Sequence, residues 1–412
     1  MPEFLTLLPP REARQTLLAH FHPQVQSEWA ALDEALGRVS AAPLRAPHPL
    51  PEFRRATMDG YAVRAADTYG ASESIPAYLL TAGEVPMGGA PAFRLARGQC
   101  ALIYTGGMLP EGADAVVMVE QTQIAGRGEV EILRAAAVGE NVIEAGEDVK
   151  EGEIVIPQGR RLRPAELGGL AALGLTRIPV ARKPRVGILS SGDEVVRAEV
   201  RPQIGQVRDV NAHTLAGLVQ QCGGEAVQCG IAPDQAEALR EAARRALADC
   251  DMLLISAGSS ASGRDLTAQV IQELGEPGVL VHGVNVRPGK PTILAICDQK
   301  PVLGLPGNPV SALVVAGLFV VPLIEAQLGI QNEPPAASRP ARLALNLPSQ
   351  AGREDWVAVR LEASETGWLA EPVFGKSNLI FTLARADGLI CIPADATGLS
   401  AGETIEVYLT RI

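Results

Sequence analysis

Three stretches set the fold: Val186-Gly-Ile-Leu-Ser-Ser-Gly-Asp-Glu194, Asp251-Met-Leu-Leu-Ile-Ser-Ala-Gly-Ser-Ser260 and Val302-Leu-Gly-Leu-Pro-Gly-Asn-Pro-Val-Ser311. In each, a short apolar run ends abruptly in small and polar residues. That is the signature of a buried strand followed by a loop. Helical patterns lie between them: Asn211 to Gln221 with Asn211 as its cap, Asp234 to Leu247, and Asp265 to Leu274. Further strands are expected at Glu225–Ile231, Val279–Val284 and Thr292–Ile296, and a long apolar helix from Pro309. Buried strands alternating with amphipathic helices specify a doubly wound, mostly parallel α/β domain over residues 183–327.

Outward from this domain the character changes. Residues 47–141 are rich in Gly and Pro, with short apolar runs at Tyr78-Leu-Leu80, Cys100–Tyr104, Ala115–Val119 and Val130–Leu133, and read as a β-rich domain. Residues 1–46 and 142–182 flank it. Ser27 to Gly37 has apolar residues at helical spacing, and Pro164–Leu173 reads as a short helix before Gly174. A linker-like stretch rich in Pro and Ala precedes a second β-rich segment over residues 335–412. With 412 residues, 47% hydrophobic and 20% charged, a chain of several globular domains is expected.

The net charge of −11 and the absence of a Lys/Arg stripe argue against nucleic acid as a partner. The apolar run Pro309–Ile324 is short for a bilayer and carries Pro322, so a buried helix is expected there, and no membrane partner. The six scattered cysteines form no CxxC pair, which together with a start that lacks basic residues and is cut by prolines points to a reduced, cytoplasmic setting. No HExxH occurs, so any metal should be a hard cation on oxygen ligands.

In open α/β sheets, ligands bind beyond the carboxyl ends of the strands. Four loops there are unusual: Ser190–Glu194, Ser256–Asp265, Arg287-Pro-Gly-Lys-Pro291 and Leu305–Ser311. Their small residues let backbone N–H groups approach an anion, and helix N-termini favour phosphate. Arg287 and Lys290 add positive charge, while Asp193, Glu194 and Asp265 are suited to hold a divalent cation against the same phosphates. Each loop alone is ordinarily just a turn, with Asp265 a helix cap. Their convergence on one sheet is what implies a site for a phosphate-bearing ligand.

Taken in order, Met58-Asp-Gly-Tyr-Ala62, Thr105–Val117, Gly146-Glu-Asp148, Ser191-Gly-Asp-Glu194, Pro288-Gly-Lys-Pro291 and Gly304–Ala312 resemble the MoeA family, which includes the E domain of gephyrin. The resemblance implies a linker domain (1–46 plus 142–182), a β-rich domain (47–141), an α/β molybdopterin-binding domain (183–327) and a C-terminal β-barrel-like domain (335–412). It also implies a homodimer whose active site is shared between subunits. The implied activity is a molybdopterin molybdenumtransferase. It inserts molybdate into adenylylated molybdopterin with release of AMP, assisted by Mg²⁺. By this resemblance Asp59, Glu194 and Asp265 are the catalytic candidates, with Asp193, Glu194 and Asp265 on the metal. Thr105, Ser190, Ser191, Gly258, Ser259, Arg287, Lys290, Pro306, Gly307, Asn308 and Ser311 would contact the substrates. The sequence departs from the family pattern at Ala257, where a glycine is usual, at Arg287 for lysine, and at Ala56 for serine. A non-catalytic scaffold, a tungstate-specific transferase and an unrelated nucleotide pyrophosphatase are the competing readings.

Overall fold

The computed structural model describes residues 7–126, 128–257, 261–330, 337–365 and 367–409; of residues 261–265 it describes the backbone only. The first helix, α1 (Pro10–Ala19), carries Ala13 and Leu17 one turn apart, and both are buried in the core of the α/β domain. The helix expected over Ser27–Gly37 is absent. Ser27–Ala31 is instead a strand paired antiparallel with Arg177–Ala181, followed by a single turn of 3₁₀ helix. Its helix-favouring Glu and Ala residues are overridden by pairing across the chain and by the burial of Ala30 alone. Leu44–Arg45 pairs with Ile154–Ile156, so the segments on either side of the β-rich domain meet in one small core with Ile178 and Val180. The second helix, α2 (Pro164–Ala172), lies in the same unit and opens with a capping box closed by Glu166.

The β-rich domain holds a six-stranded sheet in the order Ala115–Met118, Gly60–Val63, Gln99–Ile103, Ala77–Glu84, Glu129–Ile132, Thr122–Gly126. Alternate residues of Gly60–Val63 enter two cores: Tyr61 and Val63 on one face, Ala62 on the other.

In the α/β domain, β1 (Arg185–Ser191) leads to α3 (Asn211–Gln221) and β2 (Glu225–Ala232). Next come α4 (Ala236–Asp249), β3 (Met252–Ala257), α5 (Ala261–Gln272) and β4 (Pro277–His282). Finally β5 (Ile293–Cys297), β6 (Lys300–Pro306) and α6 (Pro309–Gln327) complete the domain. The sheet order is β2-β1-β3-β6-β5-β4; β2, β1, β3 and β6 are parallel, and β5 runs against both neighbours. Pleating divides the core. Val186, Ile188 and Leu254 join α3 and α6 on one face; Leu189, Leu253 and Ile255 join α4 and α5 on the other. The apolar α6 is a core helix, with Phe319, Val320, Leu323 and Ile324 buried. From β1 the chain turns to β2 on one side, then crosses to β3 on the other. That reversal opens a crevice between the carboxyl ends of β1 and β3.

In the C-terminal domain, five strands close on themselves. Glu354–Ser364 pairs with both Gly367–Pro372 and Gly388–Ile392, and Ser338–Leu343 and Thr404–Leu409 complete the ring. Val359, Ala370, Ile390 and Val407 fill the barrel.

Candidate active site

The residues singled out from sequence fall into three places. The first is the crevice between β1 and β3. Ser190 stands in register with Ser256 across it. Ser191 donates from Oγ to Asp234 Oδ1 at 2.9 Å, and Asp193 Oδ1 accepts from the Asp234 N–H at 3.2 Å. These two bonds tie the loop after β1 to the start of α4. Asp193 and Glu194 are exposed, and Glu194 folds its carboxylate back over Gly192. Pro306 ends β6 in register with Ala257. Gly258, Ser259 and the side chain of Asp265 lie outside the described residues. Among the described residues, no group of three or more His, Cys, Asp or Glu forms a metal cluster.

Asn211 is placed otherwise than as the cap expected for it. It is the first residue within α3, and the Ala212 N–H is capped at 3.0 Å by Asp209 Oδ1. The Asn211 amide turns to the strand exits. Its Nδ2 donates to Ser256 Oγ at 2.5 Å and to the Gly307 carbonyl at 2.9 Å.

The second place is a cleft of about 1180 Å³ between the α/β domain and the barrel. Arg287, Lys290, Asn308 and Ser311 line one side, and Arg353, Asp355, Lys376 and Ser377 the other. Asp355 is 3% exposed and anchors two cations: Arg353 Nε at 2.8 Å and Arg287 Nη1 at 3.5 Å. Lys290 and Lys376 enter no ion pair among the described residues, so the cleft presents uncompensated positive charge in an otherwise acidic chain. The two sides are joined through backbone and side chain. Val286–Arg287 pairs parallel with Glu354–Asp355, Asn308 Nδ2 donates to Ser377 Oγ at 3.0 Å, and the Val310 N–H donates to the Ser377 carbonyl at 3.1 Å. One of the N–H groups that open α6 is therefore already taken. The loop Arg287–Pro291 lies hard against α6. A Cβ on Gly289, which has φ +124°, would sit 2.3 Å from Val315 Cγ2. A hydroxyl, amide and ammonium lining of this kind suits a small tetrahedral oxyanion or a phosphate.

The third place is in the β-rich domain, away from the cleft lining. Asp59 precedes the strand Gly60–Val63 and accepts two bonds on Oδ1, from the Thr105 N–H at 2.7 Å and the Thr105 hydroxyl at 2.8 Å. These two donors hold the Asp59 carboxyl below its ordinary pKa, so it stays ionised. Gly60 fixes its position, since a Cβ there would come within 1.9 Å of the Val117 carbonyl oxygen. One chain does not bring Asp59 to the cleft.

Sequence reasoning missed Arg353, Asp355, Lys376 and Ser377, although Gly352-Arg353 and Gly375-Lys-Ser377 repeat the Gly-plus-cation signature of the Pro288-Gly-Lys290 loop. Asp234 and the true role of Asn211 were also not read.

The fold and the site together define a multidomain protein built around a doubly wound α/β domain, with a basic cleft where that domain meets the C-terminal barrel. Comparison with known proteins narrows the class. Residues 8–174 match the profile of the MoeA N-terminal region (domain I and II), residues 187–326 that of a probable molybdopterin binding domain, and residues 340–410 that of the MoeA C-terminal region (domain IV). The chain is 32% identical to the molybdopterin molybdenumtransferase of Bacillus subtilis, over 100% of this chain and 96% of that one. It is 37% identical to a putative molybdopterin biosynthesis protein of Methanocaldococcus jannaschii, over 92% of this chain and 91% of that one. A crystal structure of the molybdopterin biosynthesis moeA protein from Pyrococcus horikoshii OT3 superposes with a TM-score of 0.86 at 32% identity, covering 98% of this chain and 100% of that one. The chain belongs to the MoeA family, and is an enzyme of molybdenum cofactor biosynthesis.

Proposed function

We propose that the protein inserts molybdate into adenylylated molybdopterin, releasing AMP and molybdenum cofactor. The observation that carries this reading is the cleft between the α/β domain and the barrel, where Lys290 and Lys376, in no ion pair among the described residues, stand beside the paired Arg287 and Arg353. A dianionic oxyanion entering there meets cations already oriented by buried Asp355, with Asn308, Ser311 and Ser377 as hydrogen-bonding partners. The crevice between β1 and β3 would take the pterin and its phosphates, in keeping with the general rule for open α/β sheets.

Asp193 and Glu194 fit Mg²⁺ in donor chemistry: they are adjacent, exposed carboxylates, and this ion commonly takes one or two carboxylates plus substrate phosphate oxygens. When bound there, the ion would neutralise charge on the phosphoanhydride. Asp59, kept ionised by Thr105, would orient the water that cleaves that link. Since Asp59 lies apart from the cleft of its own chain, the reading includes a homodimer in which it serves the partner's site.

Incubation with adenylylated molybdopterin, molybdate and Mg²⁺ should release AMP stoichiometrically with cofactor. Intact protein that bound the substrate and released none would leave the scaffold reading standing.

A further inference from the structure

Asn211 has no structural task in the helix it begins. Asp209 caps α3 by accepting from the Ala212 N–H, and Asn211 makes no capping bond. Its amide instead spans the exits of two neighbouring strands. Ser256, next to last in β3, and Gly307, just past β6, both accept from Nδ2. Because Ser256 pairs with Leu305 and Ala257 with Pro306, this one side chain pins both exits to α3. Asn211 is 5% exposed and Ser190, facing Ser256, is 2% exposed. Among the described residues, Asn211 Oδ1 and Ser190 Oγ are buried without a hydrogen-bond partner. A buried polar atom without a partner carries its full desolvation penalty. An apolar side chain of similar shape would avoid that penalty but leave the Ser256 hydroxyl and the Gly307 carbonyl without the amide that joins them, so the task of the amide is to hold the two strand exits together.

We infer that Asn211 is a positioning residue for substrate binding. It sets the distance between the Ser256 exit, at the crevice, and Gly307, which leads directly to Asn308 and Ser311 in the basic cleft. The crevice and the cleft are the two halves of the ligand site, and the Asn211 amide keeps them in register. The inference rests on the functional reading above and deepens it. It assigns the register of the pterin-phosphate and oxyanion halves to a residue that touches neither.

The test compares wild type with Asn211→Leu, which keeps the branched shape and removes both N–H donors, and with the smaller Asn211→Ser. Thermal stability, molybdopterin affinity by fluorescence titration, and KM and kcat for AMP release are measured on the full-length protein. Positioning predicts folded variants whose molybdopterin Kd and KM rise tenfold or more while kcat stays within about threefold. Should Asn211→Leu fail to fold, Asn211→Ser carries the same comparison. Folded variants with wild-type Kd and KM would overturn the inference alone. Failure of wild type to bind molybdopterin would overturn the functional reading and this inference with it.

Discussion

Lys290→Met isolates the charge of the cleft from its architecture. The Lys290 side chain is exposed and makes no ion pair among the described residues, while its carbonyl accepts from the Val284 N–H at 3.0 Å. The neighbouring Gly289 carbonyl accepts from Thr292 Oγ1 at 2.6 Å. The loop is thus held through its backbone, and the substitution should leave the melting temperature within about 2 °C, as surface substitutions do. The loss falls on ligand charge. A unit charge about 4 Å away is worth about 1 kcal/mol in water and about 4 kcal/mol at the effective dielectric near a protein surface. For an exposed lysine at a cleft wall we expect about 1.4–2.8 kcal/mol, a 10- to 100-fold weaker molybdate affinity. Lys290→Arg, which keeps the charge, should stay within about threefold. Isothermal titration with molybdate at low ionic strength reads both, and near 1 M salt, where the screening length is about 3 Å, the gap should narrow. Molybdate binding by Lys290→Met within twofold of wild type at low salt would refute the assignment of the oxyanion to this cleft.

Three further outcomes are expected. Gly60→Ala forces a Cβ against the Val117 carbonyl oxygen and Met118 Cα, both backbone, and should destabilise the β-rich domain by more than about 3 kcal/mol; a two-state denaturation curve matching wild type would contradict this. Thr105→Val removes one of the two donors that lower the Asp59 pKa, so the acid limb of the pH–rate profile should move to higher pH, and an unmoved limb would remove Asp59 from the reaction. Glu166, held chiefly by Arg163 and also by Arg160, has its pKa lowered from the ordinary 4.5 to about 2. A depressed carboxylate stabilises above its unfolded value and loses that contribution as pH falls through its folded one. Glu166→Gln should therefore cost about 1–2 kcal/mol at pH 7, and the gap in chemical-denaturation stability should shrink between pH 4.5 and about 2.

What the sequence made legible follows from local physics. The apolar runs at Val186–Leu189, Met252–Ile255 and Val302–Leu305 are each buried on both faces and could only be interior strands, so the α/β domain was readable with no partner information. Ser27–Ala31 was misread because its strand is set by Arg177–Ala181, nearly 150 residues on, and its own composition favours a helix. Asn211 was misread because asparagine ahead of an amphipathic run is an ordinary cap, and nothing local shows that Asp209 takes that task. The barrel's half of the cleft was invisible for a related reason. Arg353, Asp355 and Lys376 gain meaning only when Val286–Arg287 pairs with Glu354–Asp355 across the domain boundary. The loops at the sheet ends carried their small residues and charges openly, which is why they could be named as candidates from the sequence. How they divide between a crevice and a cleft could not be read.

Cofactor reconstitution is the most direct measurement of whether molybdenum is transferred through the basic cleft. Purified protein is mixed with adenylylated molybdopterin, molybdate, Mg²⁺ and a molybdenum-free apo-reductase, and reductase activity is followed beside AMP. Activity should appear with wild type in step with AMP and fall at least tenfold with Lys290→Met at limiting molybdate. Wild-type protein that releases AMP yet leaves the reductase inactive at saturating molybdate would contradict that transfer.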